Sequence, residues 1–200
     1  MELSDVSFQG PAIDDQEVLE RLPADYRSLL EQINGFIQFG GGLHVRGACL
    51  SPMWHSLRSV WFGELSLHRH YATLTTEDIP FGQDALGDQF ILRSGSVFHL
   101  SGETGDIEPL HCSFLAFLAA AQADSTGYLG LEPLIQFQNE GGQLQPGQLL
   151  SAYPPFCTKE AQAGVSLKAV SAIERLAFLA DFAAQVASMK EGQSLRIGTI

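Results

Sequence analysis

The sequence predicts a protein that mixes α-helices with β-strands, and three observations carry that expectation. Apolar residues recur at helical spacing around residues 14–22, 23–33, 114–123 and 171–189. Residues 89–93 (QFILR) and 96–100 (SVFHL) are strand-like runs joined by the Ser94-Gly95 turn. Gly, Pro, Asn and Asp punctuate the intervals where one pattern gives way to the next.

The first ten residues lack periodicity and read as frayed or strand-like. Asp14 or Asp15 then caps a helix whose apolar face is Val18, Leu19 and Leu22. Pro23 interrupts it and opens a second helix carrying Tyr26, Leu29, Leu30 and Ile33, which Asn34-Gly35 ends. Residues 36–39 are a short strand or turn, Gly40-Gly41-Gly42 follows, and residues 43–50 (LHVRGACL) read as a strand. A glycine-rich phosphate cradle needs a following helix N-terminus, and here a strand-like run follows instead. Residues 54–62 (WHSLRSVWF) read as a short helix with Trp54 and Trp61 on one face. Each tryptophan is a core residue if buried and an interface anchor if exposed. Residues 64–74 fit no single pattern. Ile79-Pro80-Phe81 then leads into a tight turn holding Asp84, Gly87 and Asp88, and the two strands follow. Residues 103–106 form a polar turn, and Ser113 caps the apolar helix 114–123. Beyond Asp124 the composition changes. Residues 127–137 read as short strands and loops, residues 153–156 (YPPF) as punctuation, 171–189 as a long amphipathic helix and 194–200 as a final strand. With no repeat or flexible linker in view, residues 1–200 read as one compact unit, with 124–200 an extension packed on the rest.

Composition bounds the function. The chain has 200 residues, 45% of them hydrophobic, and mean hydropathy +0.06, which suits an ordinary globular core. No apolar run approaches the roughly 20 residues that cross a bilayer, and MELSDVSFQG has neither the basic segment nor the apolar stretch of a secretory signal. The cytoplasm is therefore the expected location. Cys49, Cys112 and Cys157 are scattered without a paired spacing, so reduced thiols filling small apolar sites are expected. Net charge is −12, from 23 acids against 11 bases. That balance argues against nucleic acid and anionic membranes as partners and suits a basic protein.

Candidate chemistry is sparse. His68 and His70 would face the same way on a strand, as two metal ligands must, but no further ligand spacing accompanies them. They read as two partly exposed histidines. His111 and Cys112 are adjacent and so diverge on either a strand or a helix, which is poor geometry for a nucleophile and its base. Carboxylate pairs (Asp14-Asp15, Glu77-Asp78, Asp84 with Asp88, Asp106 with Glu108) could serve a hydrolase. Set in turns, they read instead as solvated acids or as parts of one acidic surface.

The order of these elements resembles the SUKH superfamily, the SMI1/KNR4-like domains. LPADYRSLLEQING (residues 22–35) is similar to the family's opening helix, IPFGQDALGDQFIL (79–92) to its hallmark stretch, and SFLAFL (113–118) to its closing helix. The likeness spans residues 14–121. It implies an α+β fold with a mixed, mainly antiparallel sheet backed by helices. It also implies a bacterial immunity protein that binds a cognate toxin, of the polymorphic or type VI secretion kind, and neutralises it by stoichiometric occlusion. No catalytic residue, metal or cofactor comes with the family. The carboxy-terminal part, with GQLLSAYPPF (147–156), resembles the GAD-like immunity proteins of type VI systems. Asp84, Asp88, Glu103, Asp106, Glu108 and Trp54 are the expected toxin-facing residues. A regulatory scaffold, like the fungal relatives, is one alternative. A small hydrolase using paired carboxylates or His68 and His70 is the other.

Overall fold

The computed structural model describes residues 3–188. Its centre is a seven-stranded sheet in which β1 (Val6–Gln9), β2 (Phe36–Gln38), β3 (Leu43–Val45), β4 (Ile79–Asp84), β5 (Gln89–Arg93), β6 (Ser96–Leu100) and β7 (Ile107–Pro109) lie side by side in chain order. Each neighbouring pair is antiparallel. The fold is α+β, as the sequence predicts. Ser94 and Gly95, with φ of 49° and 81°, make the left-handed two-residue turn that lets β5 fold back as β6. Strands β2 to β4 are buried throughout, so both faces of the sheet are covered.

One face carries the apolar core. Helix α1 (Gln16–Arg21) begins at Asp15, whose side chain accepts the Val18 N–H, and α2 (Ala24–Gln32) follows Pro23. Helix α4 (Phe114–Ala123) begins at Ser113, as its sequence requires. Its Phe114 and Phe117 meet Phe81 edge-on at 5.1 and 5.4 Å between ring centres, and Phe117 lies 4.6 Å from the ring of Phe90. Tyr26 of α2 closes this aromatic cluster against Phe114.

The opposite face is polar along one row. Direct partners in an antiparallel pair share a face, so the register aligns Ile37, His44, Gln83 and Gln89. The extension covers this row. Helices α5 (Ser125–Leu129) and α6 (Glu132–Asn139) lead into the β8 (Gln148–Tyr153) and β9 (Ser166–Ser171) hairpin and then α7 (Ala172–Ser188). Leu149, Leu176 and Ala183 join the main core, and the Leu150 N–H donates to Ala85 O at 2.7 Å. Among the described residues, no helix is long and apolar enough to cross a membrane.

Several sequence expectations change. Residues 125–139 are two helices rather than strands and loops. Asp124 accepts the Gly127 N–H to start α5, left-handed Gly130 ends it, and Pro133 sits in the first turn of α6. Strand β3 stops at Val45; the Arg46 N–H still donates to Phe81 O at 2.9 Å, and Gly47 then leaves the sheet to bridge to Ser56. Helix α3 (Leu57–Trp61) starts after Trp54, so the two tryptophans do not share a helical face. His68 lies in a 3-10 turn (Leu67–Arg69) that His70 ends, which removes the strand geometry that would have aligned them. Cys49 is buried as expected, whereas Cys157 is exposed on a surface loop. The strand expected at 194–200 lies outside the described residues.

Phe117 is fully buried at the centre of the aromatic cluster. Phe117→Ala is expected to cost about 3–5 kcal/mol of unfolding free energy, measured by urea denaturation at pH 7.

Candidate functional site

Two polar centres flank the sheet. The first is a buried hydrogen-bond chain. Arg46, with no exposed surface, donates to Pro80 O at 2.7 Å, Gly82 O at 3.3 Å, Gln89 Oε1 at 2.8 Å and Gln83 Oε1. The two carbonyls sit where β4 departs from regular pairing, between Ile79 and Gly82. The irregularity frees carbonyls from the ladder, and the guanidinium gives them donors. Tyr26 adds its hydroxyl to Arg46 O at 2.6 Å. Burial pulls the Arg46 pKa down to about 10, which leaves it charged at neutral pH.

The chain continues through Gln83 Nε2 to His44 Nδ1 (3.2 Å), His44 Nε2 to His55 Nδ1 (2.8 Å) and His55 Nε2 to Asn34 O (2.9 Å). The two ends fix the tautomers. Asn34 O only accepts, so His55 Nε2 carries a proton and its Nδ1 accepts from His44 Nε2. His44 Nδ1 in turn accepts from the Gln83 amide. Each ring nitrogen is thus committed with neither histidine charged. Burial, then the proximity of His55 and Arg46, drives the His44 pKa well below its ordinary value; burial lowers that of His55 to about 4. Gly10 and Gly47 leave no space around this link: a Cβ on them would stand 1.9 and 2.3 Å from Asn34 O. A cavity of about 20 Å³ beside His44, bounded by Trp54, Gln83, Leu144 and Gly147, has room for one water molecule and not for a substrate.

The second centre is the corner formed by the β4–β5 and β6–β7 turns. Asp84 Oδ1 accepts the N–H groups of Leu86, Gly87 and Asp88, each at 2.9 Å, and the residue is 7% exposed. Asp88 Oδ1 accepts the Gly102 N–H at 2.8 Å, and its Oδ2 lies 3.4 Å from His99 Nε2. Burial and the Asp88 charge push Asp84 up to about 7, against the pull of His99 and of the amides of Leu86 and Asp88. Burial opposes the charged form of His99, but Asp88, Asp84 and Glu108 outweigh it and raise its pKa. Arg175 of α7 is buried here too. Its Nε donates to Leu86 O, its Nη2 lies 3.8 Å from Glu103 Oε1, and its Nη1 is buried without a hydrogen-bond partner. Glu103, also 7% exposed, accepts the N–H groups of Phe156 and Cys157 at 3.2 and 2.9 Å.

Asp84, Asp88 and His99 place one ligand atom each within 4.8 Å of the others, a donor set that could hold a divalent cation. The three amides on Asp84 and the Arg175 guanidinium already supply much of the positive field there. Proton sharing within the cluster is the chemistry best matched to this arrangement.

The expected toxin-facing residues therefore separate. Asp84 and Glu103 are buried and bind backbone amides, so they do not form an acidic surface. Trp54 packs on Phe8, His44 and His55 at 5.0 to 5.5 Å, at the far end of the strand order. Asp106 and Glu108 are exposed, Asp88 partly so, and Glu108 of edge strand β7 lies directly across from His99. The other carboxylate pairs also serve the fold: Asp15 binds Arg58 with both oxygens, and Asp78 binds Arg93 likewise. His68 Nδ1 faces Trp61 O at 3.2 Å. The His44–His55 pair escaped sequence reading, because 11 residues and an irregular turn separate its members.

The histidine pair sets a pH dependence. Between pH 4 and 6.5 the unfolded chain binds protons at residues 44 and 55 that the folded chain refuses, so stability falls as pH falls across that window. Asp84 works oppositely, since the folded form holds its proton between about pH 3.8 and 7. The histidine part is isolated by difference. His44→Gln is expected to flatten the slope of unfolding free energy between pH 4.5 and 6 by up to about 1.4 kcal/mol per pH unit relative to the parent chain.

No protein-family model matches the chain, and no curated protein matches it either. Among solved structures it is similar to the crystal structure of Atu4351 from Agrobacterium tumefaciens, at a TM-score of 0.55 and 14% identity, over 88% of this chain and 85% of that one. At that identity the likeness is one of fold.

Proposed function

We propose that this chain is an immunity protein that binds a basic toxin domain in the cytoplasm and occludes it stoichiometrically. The observation that carries this reading is the exposed acidic edge formed by Asp106 and Glu108 on the β6–β7 side of the sheet, with the partly exposed Asp88 beside His99, in a chain of net charge −12. A strand edge offers unpaired backbone groups to a partner, and acids along it steer a basic protein into register. The buried corner behind it gives that edge a fixed shape. The resemblance of residues 14–121 to SMI1/KNR4-like domains supports the same role, and the α+β fold is compatible with it.

Calorimetric titration with the toxin domain encoded beside its gene tests the proposal. The expected result is 1:1 binding at micromolar affinity or tighter, with loss of the toxin's activity. Asp106→Lys combined with Glu108→Lys is expected to weaken binding about tenfold or more, chiefly through slower association that is sensitive to salt. If no such toxin domain binds, the role is wrong. Unchanged affinity in the double variant would leave the role and remove the edge.

A further inference from the structure

We infer that the loop at residues 153–158 is the aromatic anchor of the docking surface, and that it takes an arginine-rich segment of a protein partner. This deepens the binding role proposed above and rests on it. Tyr153 is 58% exposed and Phe156 41%, two of the largest apolar side chains left in solvent, only three residues apart. Exposed aromatics on a loose loop would pay an ordering cost on binding, but this loop is already ordered. Pro154 and Pro155 restrict its backbone, and Pro155 is buried. The N–H and hydroxyl of Thr158 both donate to Pro155 O, at 3.0 and 2.7 Å. Glu103 then commits both carboxylate oxygens to the amides of Phe156 and Cys157, with Arg175 behind it.

That last contact is unusual. A buried carboxylate is spent on fixing the backbone of a surface loop, although water could have satisfied the same amides. What the contact achieves is position. Glu103 and Asp106 belong to one tight turn, closed by the Gly105 N–H on Ser101 O and the Ser101 N–H on Asp106 O. Glu103 points inward to hold the aromatics, while Asp106 stands outward in solvent beside the Glu108 strand. The surface thus sets aromatic side chains, carried on a fixed backbone, together with free carboxylates. Guanidinium groups suit both parts, since they stack on aromatic rings and bind carboxylates with two parallel hydrogen bonds. Lys159 and Glu160 follow the loop and offset one another. The other exposed apolar residues, such as Leu50, Met53 and Leu115, are aliphatic or thioether side chains without a ring face.

The experiment is titration of the isotope-labelled full chain with an octa-arginine peptide, followed by amide NMR shifts. Shifts are expected to centre on residues 103–108 and 153–158. Tyr153→Ala with Phe156→Ala, both on exposed side chains, is expected to weaken the peptide about tenfold while leaving the remaining spectrum in place. Shifts centred on the acids of α1 (Glu17, Glu20), or on Leu50 and Met53, overturn the inference, as does unchanged affinity in the double variant. A second arm separates this surface from the role. A toxin domain that binds the parent and the double variant equally removes the surface and keeps the role. Peptide mapping to this surface with no toxin domain bound does the reverse.

Discussion

The buried Arg46 cation organises the centre of this fold. Removing the Arg46 guanidinium from water costs several kcal/mol, and a carboxylate partner would be the usual compensation. Here the charge is met by two backbone carbonyls of the irregular β4 segment and by the amide oxygens of Gln83 and Gln89. Those oxygens come from β4 and β5, and Tyr26 ties the Arg46 carbonyl to α2. The Arg46 side chain therefore fixes the path of the β4 irregularity and the spacing of the central strands, and the residue's backbone carbonyl seats a core helix. The aromatic cluster on the other face depends on that path, because Phe81 lies within the irregular segment.

The two polar centres differ in what they leave accessible. Around Arg46 and the histidines, the extension closes over the polar row and little more than a water's volume remains. At the acidic corner, buried groups hold exposed ones. Asp84 closes the β4–β5 turn, Glu103 holds the 153–158 loop, and the carboxylates left in solvent stand in the β6–β7 turn (Asp106) and on the edge strand (Glu108). Burial has divided the acids into structural and presented sets, which charge counting alone does not do.

Sequence patterns revealed the local parts of this architecture and missed the parts that depend on register. The Ser94-Gly95 turn, the Asp15 and Ser113 caps and helix α7 follow from short-range rules, and each is where those rules put it. Helices α5 and α6 were readable in principle, from Asp124, Gly130 and Pro133, but glycines at 127 and 130 suggested loops. Asp84 and Glu103 misled for a physical reason. A carboxylate in a turn can be solvated, or can fold back on two or three amides and lose its exposure, and nearby sequence does not distinguish these outcomes. The Asn34–His55–His44–Gln83 chain joins four segments, so it becomes visible only once strand pairing is known.

The crowding around the His55–Asn34 bond reaches beyond this molecule. Gly10, Gly35 and Gly47 come from three separate segments, and a methyl group on any of them would fall within 2.6 Å of a backbone oxygen. The His55 ring crowds all three as well, but the nearest atom to each is a backbone oxygen, so exchanging His55 for a smaller residue would leave all three closed to a side chain. Gly10, Asn34-Gly35, Gly47 and His55 thus constitute a spaced fingerprint, recognisable in any other chain that folds this way even where overall identity has decayed.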